Sequence, residues 1–179
     1  MFRITTNFKI FLFNAQTNEA VNRQSLNHFN QKEEEKLILE LFRQEYGFFP
    51  KGKISKTESP DFMIRESTRS STGIELTKLH EPGANKQNNR FTKGDSSYIP
   101  PVPSFENIEH TIRSKEEKLY LYRQKKPGQI WLIITADLTD SPVSFNIANK
   151  LTNWRFRTEF NKVFLVELTR RKVFELTLT

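Results

Sequence analysis

Residues 129–135 contain five apolar side chains without interruption, Ile130-Trp131-Leu132-Ile133-Ile134. The run has the length of a strand but lacks the alternation of a half-solvated one, so it reads as a strand buried on both faces. Such a strand belongs inside a sheet flanked by helices. Residues 105–123 supply one helix, with Phe105, Ile108, Ile112, Leu119 and Tyr122 recurring at three- and four-residue steps. Residues 31–46 supply another, carrying Leu37, Ile38, Leu41 and Phe42 on one face and ended by Gly47, Pro50 and Gly52. Between the helices, residues 61–65 and 73–79 read as a hairpin with the polar segment 66–72 as its turn. Residues 162–168 and 172–178 alternate as strands, forming a terminal hairpin or sending the first strand into the main sheet. A strand at residues 9–13, within an otherwise loop-like 1–30, and a short helix from Ser141-Pro142 to Lys150 complete the expectation.

Two acidic residues interrupt this apolar pattern. Asp61 stands in Ser59-Pro60-Asp61-Phe62, and Glu75 lies fourteen positions later in Gly73-Ile74-Glu75-Leu76-Thr77. A carboxylate on a core strand is costly unless it is paired, protonated or holding a metal, so two of them on neighbouring strands suggest a cation site. Strand side chains alternate between faces. If Glu75 and Thr77 face the site, Lys78 points away from it.

A third anomaly lies on the helix of residues 105–123. At about 100° per residue, the line through Ile108, Ile112, Leu119 and Tyr122 passes through Lys115, and Lys118 lies on the flank of that stripe. A lysine in such a place either snorkels from a helix end or meets a buried anion. The helix of residues 31–46 shows a similar irregularity, because Glu34 and Glu45 project along its apolar arc. For these a solvated carboxylate is the plainer reading, and Glu34 also gains from the helix N-terminus.

The order and spacing of Pro60, Asp61 and Glu75 resemble the PD-(D/E)xK nuclease superfamily. In its motif an Asp begins one strand, and an acidic residue one position removed from a Lys lies on the next strand. Here Thr77 occupies the lysine position. Members of the superfamily move the lysine onto the neighbouring helix, which makes Lys115, or failing that Lys118, its replacement. Glu34 resembles the glutamate that members place on the helix preceding the hairpin. The resemblance implies an α/β fold, a mixed central β-sheet flanked by helices with a restriction-endonuclease-like core of order α-β-β-β-α-β. It covers roughly residues 31–136 and extends to the strand at 162–168. The whole chain, 1–179, is then one nuclease-like domain with a core of about 31–168, an N-terminal extension at 1–30 and a C-terminal strand at 169–179. The activity implied is metal-dependent hydrolysis of DNA or RNA phosphodiesters. Asp61, Glu75, the Leu76 carbonyl and Glu34 would hold magnesium or manganese, with Lys115 or Lys118 acting on the attacking water.

Composition is compatible with that partner without specifying it. Lys and Arg outnumber Asp and Glu by 28 to 21, a net charge of +7 and a pI near 9.6. Excess positive charge suits a polyanion, since each phosphate neutralised releases counterions. Residues 80–103 form a long polar loop with Lys86, Arg90 and Lys93; together with Lys78 these are the candidate nucleic-acid contacts, and a merely mobile loop is the alternative. The chain has no cysteine, which removes disulfides and thiolate metal sites. His28, His80 and His110 lack a metal-ligand spacing, and neither a GxSxG elbow nor a glycine-rich phosphate loop is present. Any metal would therefore sit among oxygens. No apolar segment is long enough to span a membrane or serve as a secretory h-region, which points to a soluble, cytoplasmic protein. A homodimer is compatible with a nuclease that cuts both strands. The competing readings are a catalytically inactive nucleic-acid-binding module of the same fold, in which Thr77 marks the lost lysine, and an interaction domain with an ordinary α/β core.

Overall fold

A computed structural model describes residues 31–80, 103–136 and 147–179. The chain divides after Gln44 into two compact units. The described part of the first is helix α1, Gln31–Glu45, which runs one residue past the division. Its buried arc is Ile38, Leu39, Leu41 and Phe42, so Leu39 is covered and Leu37 only half-covered. The expected strand at 9–13 and helix start at Ser141-Pro142 lie outside the described residues.

The second unit is a six-stranded mixed sheet with its strands in sequence order. Strands β1 (Lys53–Lys56), β2 (Phe62–Arg65) and β3 (Ser71–Lys78) form an antiparallel meander. Helices α2 (Phe105–Glu116) and α3 (Leu119–Arg123) then return the chain to β4 (Gln129–Ala136), parallel to β3. Helix α4 (Ile147–Asn153) precedes β5 (Lys162–Glu167), parallel to β4, and β6 (Lys172–Glu175) closes the edge antiparallel to β5. Both sequence readings of residues 162–168 therefore hold: β5 joins the main sheet and also forms the terminal hairpin. Parallel neighbours need helical crossovers, and two successive crossovers stepping the same way pack on one face of the sheet. That face joins Ile130, Leu132, Ile134 and Ala136 of β4 and Val163 and Leu165 of β5 to Ile108, Ile112, Leu119, Tyr122, Ile147 and Leu151 of the helices. The opposite face of β4 is buried as well, at Trp131 and Ile133, as an uninterrupted apolar run requires.

Three details depart from the sequence expectation. Strand β1 was not foreseen, because Lys-Ile-Ser-Lys carries charge at both ends and half-covers only Ile54 and Lys56, the pattern of an edge strand. The single helix expected over residues 105–123 is broken. Lys118 sits at φ −99°, ψ 0° and restarts the chain as α3. The cause is tertiary, since Glu116 Oε1 accepts Thr158 Oγ1 at 2.6 Å and the Glu159 N–H at 2.9 Å, anchoring the end of α2 to the approach to β5. Strand β6 stops at Glu175; the chain then bridges Phe156 through Leu178 instead of continuing to 178 as a strand.

Candidate active site

Strand β3 is the pivot of the site. It pairs with β2 on one side and β4 on the other, and six consecutive residues from Thr72 to Thr77 are buried. Glu75 stands in that run at 6% exposure, opposite Leu132 of β4, and therefore on the face covered by α2 and α3. Strand β2 begins later than the sequence suggests. Phe62 is its first residue and pairs with Ile74, so the same register one step further sets Asp61 beside Glu75, just beyond the strand end. Directly opposed residues of an antiparallel pair share a face.

The loop from Thr57 to Asp61 is held by several bonds. The Thr57 N–H donates to the Asp61 carbonyl at 2.8 Å, and the Thr57 hydroxyl donates to the Pro60 carbonyl. The Ser59–Pro60 bond is cis. Pro60 lies against β3 at Gly73, where a Cβ would sit 2.8 Å from Pro60 Cγ, so the loop approaches this closely because residue 73 has no side chain. Asp61 Oδ2 accepts the Leu76 N–H at 2.8 Å. Its other oxygen, Oδ1, is 3.3 Å from Lys56 Nζ, and that ammonium also lies 4.4 Å from the centre of the Phe62 ring.

Helix α2 is tied to the chain just beyond β3 by Thr111, which is fully buried. Its hydroxyl accepts the His80 N–H at 3.1 Å and donates to the Asn107 carbonyl at 2.7 Å. One turn further on, Lys115 Nζ meets Glu75 Oε1 at 2.8 Å, with 17% and 8% of the two side chains exposed. The apolar stripe thus delivers a lysine to a buried carboxylate. The break after Glu116 does not disturb this, because Lys115 precedes it.

Tyr122 of α3 completes the site. It is 1% exposed, and its hydroxyl lies beside Glu75 short of a well-formed hydrogen bond. Burial, then the Glu75 charge, and more weakly the Asp61 charge hold this phenol well above the ordinary tyrosine range. Thr77, at the motif's lysine position, is buried two residues beyond Glu75 on the same face, and its hydroxyl lies 3.4 Å from His80 Nε2.

Lys115 therefore meets Glu75, and the register sets Asp61 opposite Glu75. Lys118 is exposed at the junction of α2 and α3, and Lys78 is exposed on the face of β3 opposite Glu75. Glu34 occupies the first turn of α1, half-buried, in the other unit. Lys86, Arg90 and Lys93 lie outside the described residues. Among the described residues no three histidine, aspartate or glutamate side chains group as a metal cluster. No described helix is long and apolar enough to cross a membrane. Sequence reasoning missed Lys56 and Tyr122. The signal for Lys56 was its position five residues before Asp61 across a tight loop; Tyr122 was read as one more apolar residue of the stripe. Compared with known protein families, characterised proteins and solved structures, the chain matches none.

Proposed function

We propose that this protein is a metal-dependent nuclease built on the α-β-β-β-α-β core and acting on DNA. The observation that carries the reading is the Lys115–Glu75 contact of 2.8 Å, made on a central strand beside Asp61. A buried ion pair seldom stabilises a fold more than apolar side chains of the same volume, so its presence among core residues favours a chemical role. The donor set fits magnesium or manganese, hard cations that one or two carboxylates bind while keeping several waters. Asp61, Glu75 and the Leu76 carbonyl would hold the ion. When bound, it supplies polarisation of the phosphoryl oxygen and a water of lowered pKa. The chain's own residues do the rest. Lys115, fixed by the docking of α2, orients the attacking water and offsets the negative charge that develops as the new P–O bond forms and the old one breaks. The Leu76 N–H holds Asp61 in place, and Tyr122 closes the Glu75 side of the site against bulk water. Thr77 has a hydroxyl in reach of the same face but brings no charge.

One observation favours a second reading, an inactive nucleic-acid-binding module. Each carboxylate already faces a lysine, and Thr77 stands where the motif has its own. Purified protein with a plasmid substrate decides between the two. The nuclease reading expects nicking in magnesium or manganese, arrest by EDTA, and loss of about two to three orders of magnitude in Asp61→Ala or Glu75→Ala. Binding without cleavage in either metal would establish the second reading.

A further inference from the structure

We propose that Lys56 is a second lysine of the site and that its partner in the working protein is a phosphate of the nucleic-acid backbone. The inference rests on the nuclease or nucleic-acid-binding reading of Asp61 and Glu75, and adds a residue to it.

The two lysines beside the carboxylates are not equivalent. Lys115 makes a contact of ordinary charge-assisted length, 2.8 Å, to the more deeply buried Glu75. Lys56 stands 3.3 Å from Asp61 Oδ1, longer than such contacts usually are, and is the more exposed member of its pair, 23% against 15%. It comes from a different element, the edge strand β1, where it stands directly opposite Phe62 with its ammonium over that ring. The ring therefore lies against the ammonium itself, which is only partly exposed. Asp61 is held independently, because its Oδ2 accepts the Leu76 N–H at 2.8 Å. Lys56 is therefore not needed to aim the carboxylate.

The surroundings point the same way. Lys51, Lys53 and Arg65 are exposed at the open end of the β1–β2 hairpin and Arg69 in the β2–β3 turn, with Lys53 directly opposite Arg65 in the register. Like charges opposite one another weaken a strand pair. Lys53 and Arg65 project from one face of this pair and Lys56 from the other, so a polyanion following the β1 edge meets both, offsets that repulsion and ends at Lys56 and Asp61. Lysine serves there as a point charge for a phosphate, without base readout.

The test is equilibrium binding of a fluorescent 20-base-pair DNA duplex in EDTA, followed by anisotropy across a potassium chloride series. Wild type, Lys56→Met and Lys56→Arg are compared, with melting temperatures measured alongside. Each lysine–phosphate contact contributes about 0.9 to the slope of log affinity against log salt for duplex DNA. Lys56→Met should make the slope shallower by about that amount, and Lys56→Arg should restore it. A purely structural Lys56 would lower the melting temperature and leave the slope unchanged, which would overturn the proposal. Cleavage of the same duplex in magnesium separates the two levels of inference. If wild type cuts and the Lys56→Met slope equals that of wild type, the Lys56 proposal alone fails. If the slope shifts while no variant cuts, Lys56 stands and the nuclease reading falls. If wild type does not bind at low salt, both fall.

Discussion

Two lysine–carboxylate pairs of equal length occupy different parts of the sheet, one on the central strand β3 and the other at the β5–β6 edge. Lys115–Glu75 and Lys162–Glu175 both measure 2.8 Å. In the second, 32% and 43% of the side chains are exposed, and every partner is of a kind that surfaces provide. Lys162 Nζ also donates to the Tyr46 hydroxyl at 2.9 Å, that hydroxyl donates to Glu175 at 2.8 Å, and the ammonium lies 5.4 Å from the Trp131 ring. The Tyr46 ring packs edge-on to Phe164 with centroids 4.8 Å apart, so the cluster is an aromatic seam with a polar rim. The first pair replaces what would be core. Distance alone does not separate the two; burial does, because a charge at 8% exposure on a central strand carries a desolvation penalty that attraction to its partner can fail to offset.

Activity breaks or supports this contrast most sharply. Lys115→Met keeps the stem packed and removes the charge, and cleavage should fall by about two to three orders of magnitude. Adding Thr77→Lys to that variant moves the ammonium to the strand, and partial recovery would show that the two positions serve one site. A misplacement of about 1 Å can still lose on the order of a hundredfold. A Lys115→Met enzyme that cleaves like wild type would make the two pairs alike and leave the buried one without a role.

Stability sharpens the comparison next. Glu75→Leu alone strands a lysine in the core and should cost about 3 kcal/mol, the low end for a broken buried pair, because Lys115 keeps some access to water. The double variant Glu75→Leu with Lys115→Met should be neutral to stabilised by up to about 4 kcal/mol while remaining inactive, measured by urea denaturation. A double variant less stable than either single one would mean that the pair holds the fold together. The smallest effect belongs to the far edge. Lys162→Met should lose about 1 kcal/mol or less and leave cleavage unchanged.

The parts of the site legible in the sequence were those written in a period. Lys115 was visible because seven residues return a helix to nearly the same angle, and Ile108 and Tyr122 lie seven positions to either side of it. Strand alternation put Lys78 on the face away from Glu75, and Lys78 is the exposed residue of β3, although both faces of that strand are otherwise buried. The buried strand β4 was visible as an unbroken apolar run. The parts that escaped have causes remote in the chain. Nothing local ends α2 at Glu116, which has neither glycine nor proline near it; the hydroxyl of Thr158, forty-two residues later, does. Strand β1 is four residues long and takes its identity from the partner it meets. The spacing of Lys56 from Asp61 therefore gains meaning only once Lys56 and Phe62 are known to face one another. Tyr122 has an apolar body that fits the stripe, and only the position of Glu75 gives meaning to its hydroxyl.

The side chain of Asp61 takes up the hydrogen-bonding position next to β3 where β2 has stopped. The carbonyl of Pro60 turns instead to the Thr57 hydroxyl, and Asp61 Oδ2 receives the Leu76 amide. One peptide proton thus answers directly to the carboxylate that the proposed chemistry uses. Whatever draws electron density from Asp61, whether a cation, a proton or an amide in its place, weakens this acceptor and moves the Leu76 resonance, while the amides of β4 and β5 keep their frequencies. The sheet carries its own reporter of the state of the site, readable in a nitrogen–proton spectrum without substrate, label or turnover.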